Sequence, residues 1–343
     1  MKHIAAEVGL TVAAVSLALK NHPSISNARR QEIRTVAERM GYRPNAMAAA
    51  LAHHRHQSRA HPIQAALALI NTYPDPEKLH AQASYEDCWR GATKAAEKFG
   101  YRLEEFPANE RQPIKRLERI FLTRNIRGII LAPLPPGVCG VDWSSFDWSK
   151  FSAVRLGFRE QAPPFHYVTS AQATNTMLAF DKMRERGYKR IGFAGYWDKA
   201  RMFGAGFLWS QQEQARRFRV APFFFSKEIP EMKQRDRFER WLKTAKPDAI
   251  LTDSLAAPVM LEKAGYRVPE DIGVAATNVR DMPVDAGIDQ NPEEIGRIGT
   301  LALVSLIHDC DLGKPEFIRE TLVMGSWVDG KSLPFRRRSQ DCR

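Results

Sequence analysis

Hydrophobic positions recur at two different spacings in this chain, and the spacing changes near residue 65. Before that point Ile4, Val8, Val15 and Leu19 sit where short helices would bury one stripe, interrupted at Gly9. Gly9 can take the left-handed conformation that ends a first helix, and Thr11 is a good N-cap for a second. With that stripe inward, Val12, Ala13, Ser16 and Leu17 lie toward the outer surface. A third helix is predicted from a Ser26 cap through Ile33, Val36, Ala37 and Met40 to a stop at Gly41. Three short helices in this order form a helix-turn-helix module, whose second helix can enter a major groove. Arg29, Arg30 and Arg34 on the third helix are then available for phosphates.

From Ala65 onward, short apolar runs alternate with longer amphipathic stretches, the pattern of parallel sheets covered on both faces. Strands are predicted over residues 65–70, 101–106, 128–132 and 153–156, and in a second series over 190–194, 220–225, 249–252 and 273–276. Helices are predicted over 85–99, 114–123, 171–186 and 236–244. The expected body is α/β, with two doubly wound lobes. Ligands in such sheets bind beyond the carboxyl ends of the strands, and the cleft between lobes is the natural pocket.

At 343 residues the chain exceeds one ordinary core and should divide into a small module and a larger body. Its net charge of +12 is unevenly spread. Residues 1–61 hold nine Lys and Arg against three Glu, and residues 331–343 hold five basic residues against Asp341. Six of the nine histidines (His3, His22, His53, His54, His56 and His61) also fall in the first segment. This is an electrostatic footprint for nucleic acid. Cys88, Cys139, Cys310 and Cys342 show no metal or disulfide spacing and read as reduced cytosolic thiols. The expectation is a cytoplasmic protein, because no apolar run spans a bilayer and the N-terminus does not read as an export leader. No dinucleotide fingerprint, Walker loop, nucleophile elbow or zincin motif occurs, so neither an enzyme nor a cofactor is expected.

The stretch IAAEVGLTVAAVSLALKNHPSIS, followed by GYRPNAMAAALA, resembles the head of a LacI-family transcriptional regulator. The resemblance continues at Gly187-Tyr188-Lys189-Arg190-Ile191-Gly192-Phe193, at residues 267–274 and at residues 290–296. It implies a helix-turn-helix domain over 1–43, a hinge helix and linker over 44–61, a periplasmic-binding-protein-like sensor over 62–330 and a basic tail over 331–343, read as disordered around Arg336-Arg337-Arg338. It further implies a homodimer on double-stranded operator DNA, acting most simply as a repressor, with operator affinity modulated by a small-molecule effector. The hinge helix would span residues 45–52, with Asn45 at its start and Leu51 as a minor-groove wedge. Pro44 suits a helix start, and the alanines that follow allow two such helices to approach closely.

Relatives grip the effector with an arginine that Arg201 matches and an acid that Asn278 replaces. Asp253, Asn71 and Tyr73 are further candidates from their strand-end positions, with Trp197 and Trp209 as possible stacking platforms. Such groups suit a sugar, though they would also hold a nucleobase. Three departures stand out. Val12, Ala13 and Leu17 replace the polar pair and arginine usual on the recognition helix, which removes bidentate guanine readout and leaves apolar contact with thymine methyls. The Gly-Phe pair after Arg201 is displaced by two residues. The Thr-x-x-Asp cap usual before the first helix is missing, so either that helix frays or the sequence starts late. A stand-alone solute-binding protein would explain the body equally well but not the head.

Overall fold

The computed structural model describes residues 2–19, 24–40, 65–108, 113–133, 141–157, 162–196, 201–226 and 228–336. The head contains α1 (Lys2–Glu7), α2 (Val12–Leu19) and α3 (Asn27–Arg39). Gly9, with φ of +63°, turns the chain between α1 and α2. The Leu10 N–H returns to the Ala5 carbonyl at 2.9 Å. Ile4, Ala5, Val8, Val15, Ala18, Ile33 and Ala37 form the core of the module. Leu19, expected inside, is only half-buried, and Ala18 takes the interior place three residues after Val15. A methyl side chain there lets the helices pack closely. Met40 caps α3, and its N–H bonds to the carbonyls of Glu38 and Val36.

The body holds two six-stranded sheets. The first contains β1 (Ala65–Asn71), β2 (Tyr101–Pro107), β3 (Gly128–Leu131), β4 (Ser152–Leu156), β5 (His166–Ser170) and β11 (Glu320–Val323), in the order β11-β5-β4-β3-β1-β2. The second contains β6 (Ile191–Tyr196), β7 (Phe223–Phe225), β8 (Ala249–Thr252), β9 (Gly273–Ala276), β10 (Gly287–Asp289) and β12 (Ser326–Val328), in the order β12-β10-β9-β8-β6-β7. β1 runs parallel to β3 with Ala68 opposite Ile129, and β6 parallel to β8 with Ile191 opposite Ala249. β12 closes one edge antiparallel to β10. The connecting helices are α4 (Glu77–His80), α5 (Ala83–Lys98), α6 (Ile114–Thr123), α7 (Gln172–Glu185), α8 (Arg201–Gln212), α9 (Glu231–Ala245), α10 (Ala256–Lys263) and α11 (Pro292–Asp309).

The strand expected over 220–225 is shortened to β7. The Val220 N–H is taken by Gln211 Oε1 at 2.8 Å, and the Ala221 carbonyl accepts from Trp241 Nε1 at 2.8 Å. Neither group is free to extend the ladder.

Contacts divide the chain into two compact units. One comprises Met1–Leu79, Trp89–Val168 and Gly296–Glu320, and the other His80–Cys88, Thr169–Ile295 and Thr321–Arg343. In the first, Phe106, Phe121, Phe146, Trp148 and Phe151 form an aromatic cluster with ring separations of 4.4 to 6.4 Å. In the second, Phe180, Phe193 and Phe207 fill one side of the sheet, and Phe223, Phe225 and Phe238 the other.

The first part of the segment expected to be disordered packs against the second unit. Leu333 is fully buried in the second unit's core, and the Tyr188 hydroxyl donates to the Pro334 carbonyl at 3.0 Å. The Arg186 guanidinium lies between the rings of Trp327 and Phe335, 4.7 and 4.9 Å from their centroids, and pairs with Asp329. Arg336 lies over the Tyr188 ring and bonds to Asp248. Apolar and stacking contacts therefore hold residues 331–336 against the sheet, basic character notwithstanding; residues 337–343 lie outside the described set.

Candidate functional site

In the head, sequence and geometry agree closely. The Thr11 hydroxyl accepts from the Ala14 N–H at 3.2 Å, and its carbonyl from the Val15 N–H at 3.1 Å, which starts α2. Ser26 caps α3 by accepting from the Arg29 N–H at 3.4 Å. With Val15 and Ala18 buried, the opposite stripe of α2 carries Val12, Ala13 and Leu17, all exposed, and half-buried Ser16. The stripe follows from i, i+4 spacing and is the face a helix-turn-helix offers to DNA.

Arg29, read from the sequence as a phosphate contact, bonds within the head in this structure. Its Nη2 donates to the Val8 carbonyl at 2.7 Å, and its Nη1 meets both Glu32 carboxylate oxygens at 2.7 and 2.6 Å. A guanidinium engaged in this way holds α3 to the end of α1. Arg39 pairs with Glu7 and ties the same two helices. The hinge calls, including Asn45 and Leu51, lie outside the described residues, as does Trp197.

Three effector candidates follow adjacent strands of the second sheet. Asp253 directly follows β8, and Asn278 lies two residues beyond β9. Arg201 opens α8, which follows β6, and β6, β8 and β9 are adjacent and parallel. All three residues therefore lie past the carboxyl ends of neighbouring strands, where open α/β sheets bind ligands. The displaced Gly-Phe pair does packing work: a Cβ on Gly206 would stand 2.3 Å from the Ala173 carbonyl oxygen, and Phe207 is wholly buried. Trp209 is exposed on α8, on the side away from that core.

Asn278 is braced by its own loop. Its Nδ2 donates to Asp281 Oδ2 at 2.8 Å, and its Oδ1 accepts from the Arg280 N–H at 3.2 Å. Asp281 in turn receives the Ser84 N–H at 3.0 Å and the Ser84 hydroxyl, while Arg280 pairs with buried Asp87. Gln290, just past β10, donates to the Thr277 carbonyl at 2.8 Å. Sequence reasoning missed this polar cluster, because Ser84 and Asp281 stand 197 positions apart and no local motif links them.

In the first unit, Asn71 closes β1 and is fully buried. Its Nδ2 donates to Glu105 Oε1 at 2.7 Å and to the Pro76 carbonyl at 3.3 Å, and its Oδ1 accepts from the Tyr73 N–H at 2.9 Å. These bonds organise the loop after β1 and occupy the amide. Tyr73 is buried beside it. A groove of about 850 Å3 elsewhere in the second unit is lined by Pro258, Tyr266, Val268, Met282, Pro283 and Lys331, and holds none of the predicted effector residues.

Among the described residues no group of three or more His, Cys, Asp or Glu could hold a metal ion. No described helix is long and apolar enough to cross a membrane.

Residues 1–45 match the model for bacterial regulatory proteins of the lacI family, and residues 180–333 match the periplasmic binding protein-like domain. Together the two matches span more than half of the chain, in the order that the fold displays. The chain thus carries a LacI-family DNA-binding domain followed by a periplasmic-binding-protein-like domain. No curated protein matches it in sequence. Its fold is similar to that of the transcriptional regulator CelR in complex with cellobiose, at 18% identity and a TM-score of 0.56, covering 96% of this chain and 98% of that one. It is also similar to the lac repressor dimer bound to operator and an anti-inducer, at 16% identity and a TM-score of 0.52, with coverage of 96% and 98%. A probable maltose operon repressor from Staphylococcus aureus matches 78% of this chain and 97% of its own, at 14% identity and a TM-score of 0.58.

Proposed function

We propose that this regulator is a cytoplasmic repressor that binds a near-symmetric duplex operator as a homodimer and alters its operator affinity when a sugar binds the sensor body. The observation that carries the reading is the outward stripe Val12, Ala13, Ser16 and Leu17 on the second helix of a helix-turn-helix, within a strongly basic first segment. Asn45 and Leu51 complete the proposed DNA contacts. Arg201, Asp253 and Asn278 are the proposed effector contacts, with Tyr73 beside the loop of the first sheet. Similar folds are named for a cellobiose complex and for a maltose operon, which favours a sugar over a nucleobase.

Ligand control requires that the effector bind two conformational states with different affinity. The test is selection of duplexes from a random library with the full-length protein at moderate salt, followed by titration of the enriched duplex with mono- and disaccharides. An enriched, near-palindromic site whose affinity changes with one sugar supports the proposal. Equal binding of enriched and random duplexes, with every sugar absent or present, overturns it.

A further inference from the structure

Helix α2 carries no group able to make the paired hydrogen bonds that distinguish purines, and we infer that the protein reads the major groove of its operator chiefly through the C5 methyl groups of thymine, packed against Val12 and Leu17. The inference rests on the DNA-binding reading above and specifies what that same helix recognises.

Helix α2 is Val-Ala-Ala-Val-Ser-Leu-Ala-Leu, with Ser16 its sole polar side chain. Bidentate readout of guanine or adenine needs Arg, Lys, Asn or Gln, and α2 has none. The one polar group at the helix entrance, the Thr11 hydroxyl, accepts from the Ala14 N–H. What the stripe offers instead is Val12 at 40% exposure and Leu17 at 37%, flanking exposed Ala13 and half-buried Ser16. Small residues between two branched ones allow the backbone to approach the groove floor, so both branched side chains can reach base edges. In the major groove the apolar feature of a base pair is the thymine methyl. Arg29 and Arg39, moreover, are engaged with Val8, Glu32 and Glu7 inside the head. Phosphate contacts made by basic residues would give affinity without sequence information, so within the major groove the methyl contacts of α2 carry the choice of site.

The experiment changes the DNA and leaves the protein intact. A duplex enriched from a random library by the full-length protein is resynthesised with deoxyuridine in place of thymidine, one position at a time, which removes only the methyl. At one or more half-site positions the affinity is expected to fall about three- to fivefold, the ratio equivalent to roughly 0.8 kcal/mol per buried methyl-sized group. The Leu17→Ala variant, altered at an exposed position, is expected to lose that discrimination at the position Leu17 covers. Equal binding of thymidine and deoxyuridine duplexes at every half-site position overturns the inference while leaving the DNA-binding reading intact. Failure to enrich any duplex removes the DNA-binding reading, and the inference falls with it.

Discussion

Arg29 Nη2 donates to the carbonyl oxygen of Val8 at 2.7 Å, bridging α3 to the end of α1. That carbonyl lies where a helix terminus leaves acceptors without an intrahelical partner, so the bond satisfies a group that would otherwise need water. The side chain that the sequence offers to DNA is thus a brace of the module that binds DNA.

The first prediction concerns this brace. Arg29→Ala is expected to destabilise the head by about 1 kcal/mol, the size of a partly exposed charge-assisted hydrogen bond. It should leave the salt dependence of operator binding unchanged. A phosphate-contacting arginine would instead lower the slope of log affinity against log salt by about 0.9 per phosphate. Melting of the head and a salt titration of DNA binding decide between the two roles.

The second concerns the segment that the sequence assigned to a disordered end. Leu333 is 1% exposed, and Leu333→Ala is expected to cost about 2 to 4 kcal/mol. Arg186→Lys should also destabilise the second unit, because an ammonium cannot reproduce a planar guanidinium stacked between the rings of Trp327 and Phe335. Urea unfolding followed by tryptophan fluorescence measures both. Wild-type midpoints for both variants would show that the segment contributes nothing to the fold.

A third prediction follows from His166. Its Nδ1 accepts from the Arg319 N–H at 3.0 Å, and its Nε2 faces the Arg319 guanidinium, with Nη2 at 2.9 Å. Burial, and then the charge of Arg319, hold its pKa below the ordinary histidine value, while Asp311 opposes them weakly. Since the folded form resists protonation, the unfolded chain binds more protons below about pH 6.5. The resulting stability is present above that pH and is lost as the pH falls toward the depressed folded value. Thermal melts from pH 7.5 to pH 5 should therefore fall more steeply for the wild type than for His166→Gln. Parallel curves would show that His166 does not report on pH.

Asn71 supplies a fourth. Removing its amide in Asn71→Ala strips partners from Glu105, Pro76 and the Tyr73 N–H at once. A loss of about 2 kcal/mol is expected without any effector present, the scale of buried polar groups left unsatisfied. A purely ligand-binding role would weaken effector affinity and leave the melting temperature of the unliganded protein where it was.

How much of this was legible in the sequence varied with how local the determining forces are. The outward set on α2 was readable because helical periodicity and a Gly9 turn fix which positions face inward, and helix α6 was found over 114–123, where strongly apolar and charged positions alternate at helical spacing. Strand β5 was missed because His166, Thr169 and Ser170 look like solvent-facing positions, although all of its residues are buried between β4 and β11. Helix α8 was missed because Gly204 and Gly206 look like breakers, whereas Gly206 allows close packing on Ala173. Asp253 was singled out from its strand-end position, and Arg201 and Asn278 from the family resemblance. The bracing of Asn278 by Asp281 and Ser84 was not, since it depends on segments brought together only by the completed fold.

The interleaving of the two units bears on synthesis. Each unit is assembled from three separate stretches of chain, and the second takes its last piece from residues beyond Thr321. Neither can be excised as one continuous fragment, and a ribosome that has passed residue 319 has still made neither β11 nor β12. The sensor stays incomplete until residues 320–328 have been made, whereas the three-helix head has every residue of its core by Ala37 and is free to fold well before then.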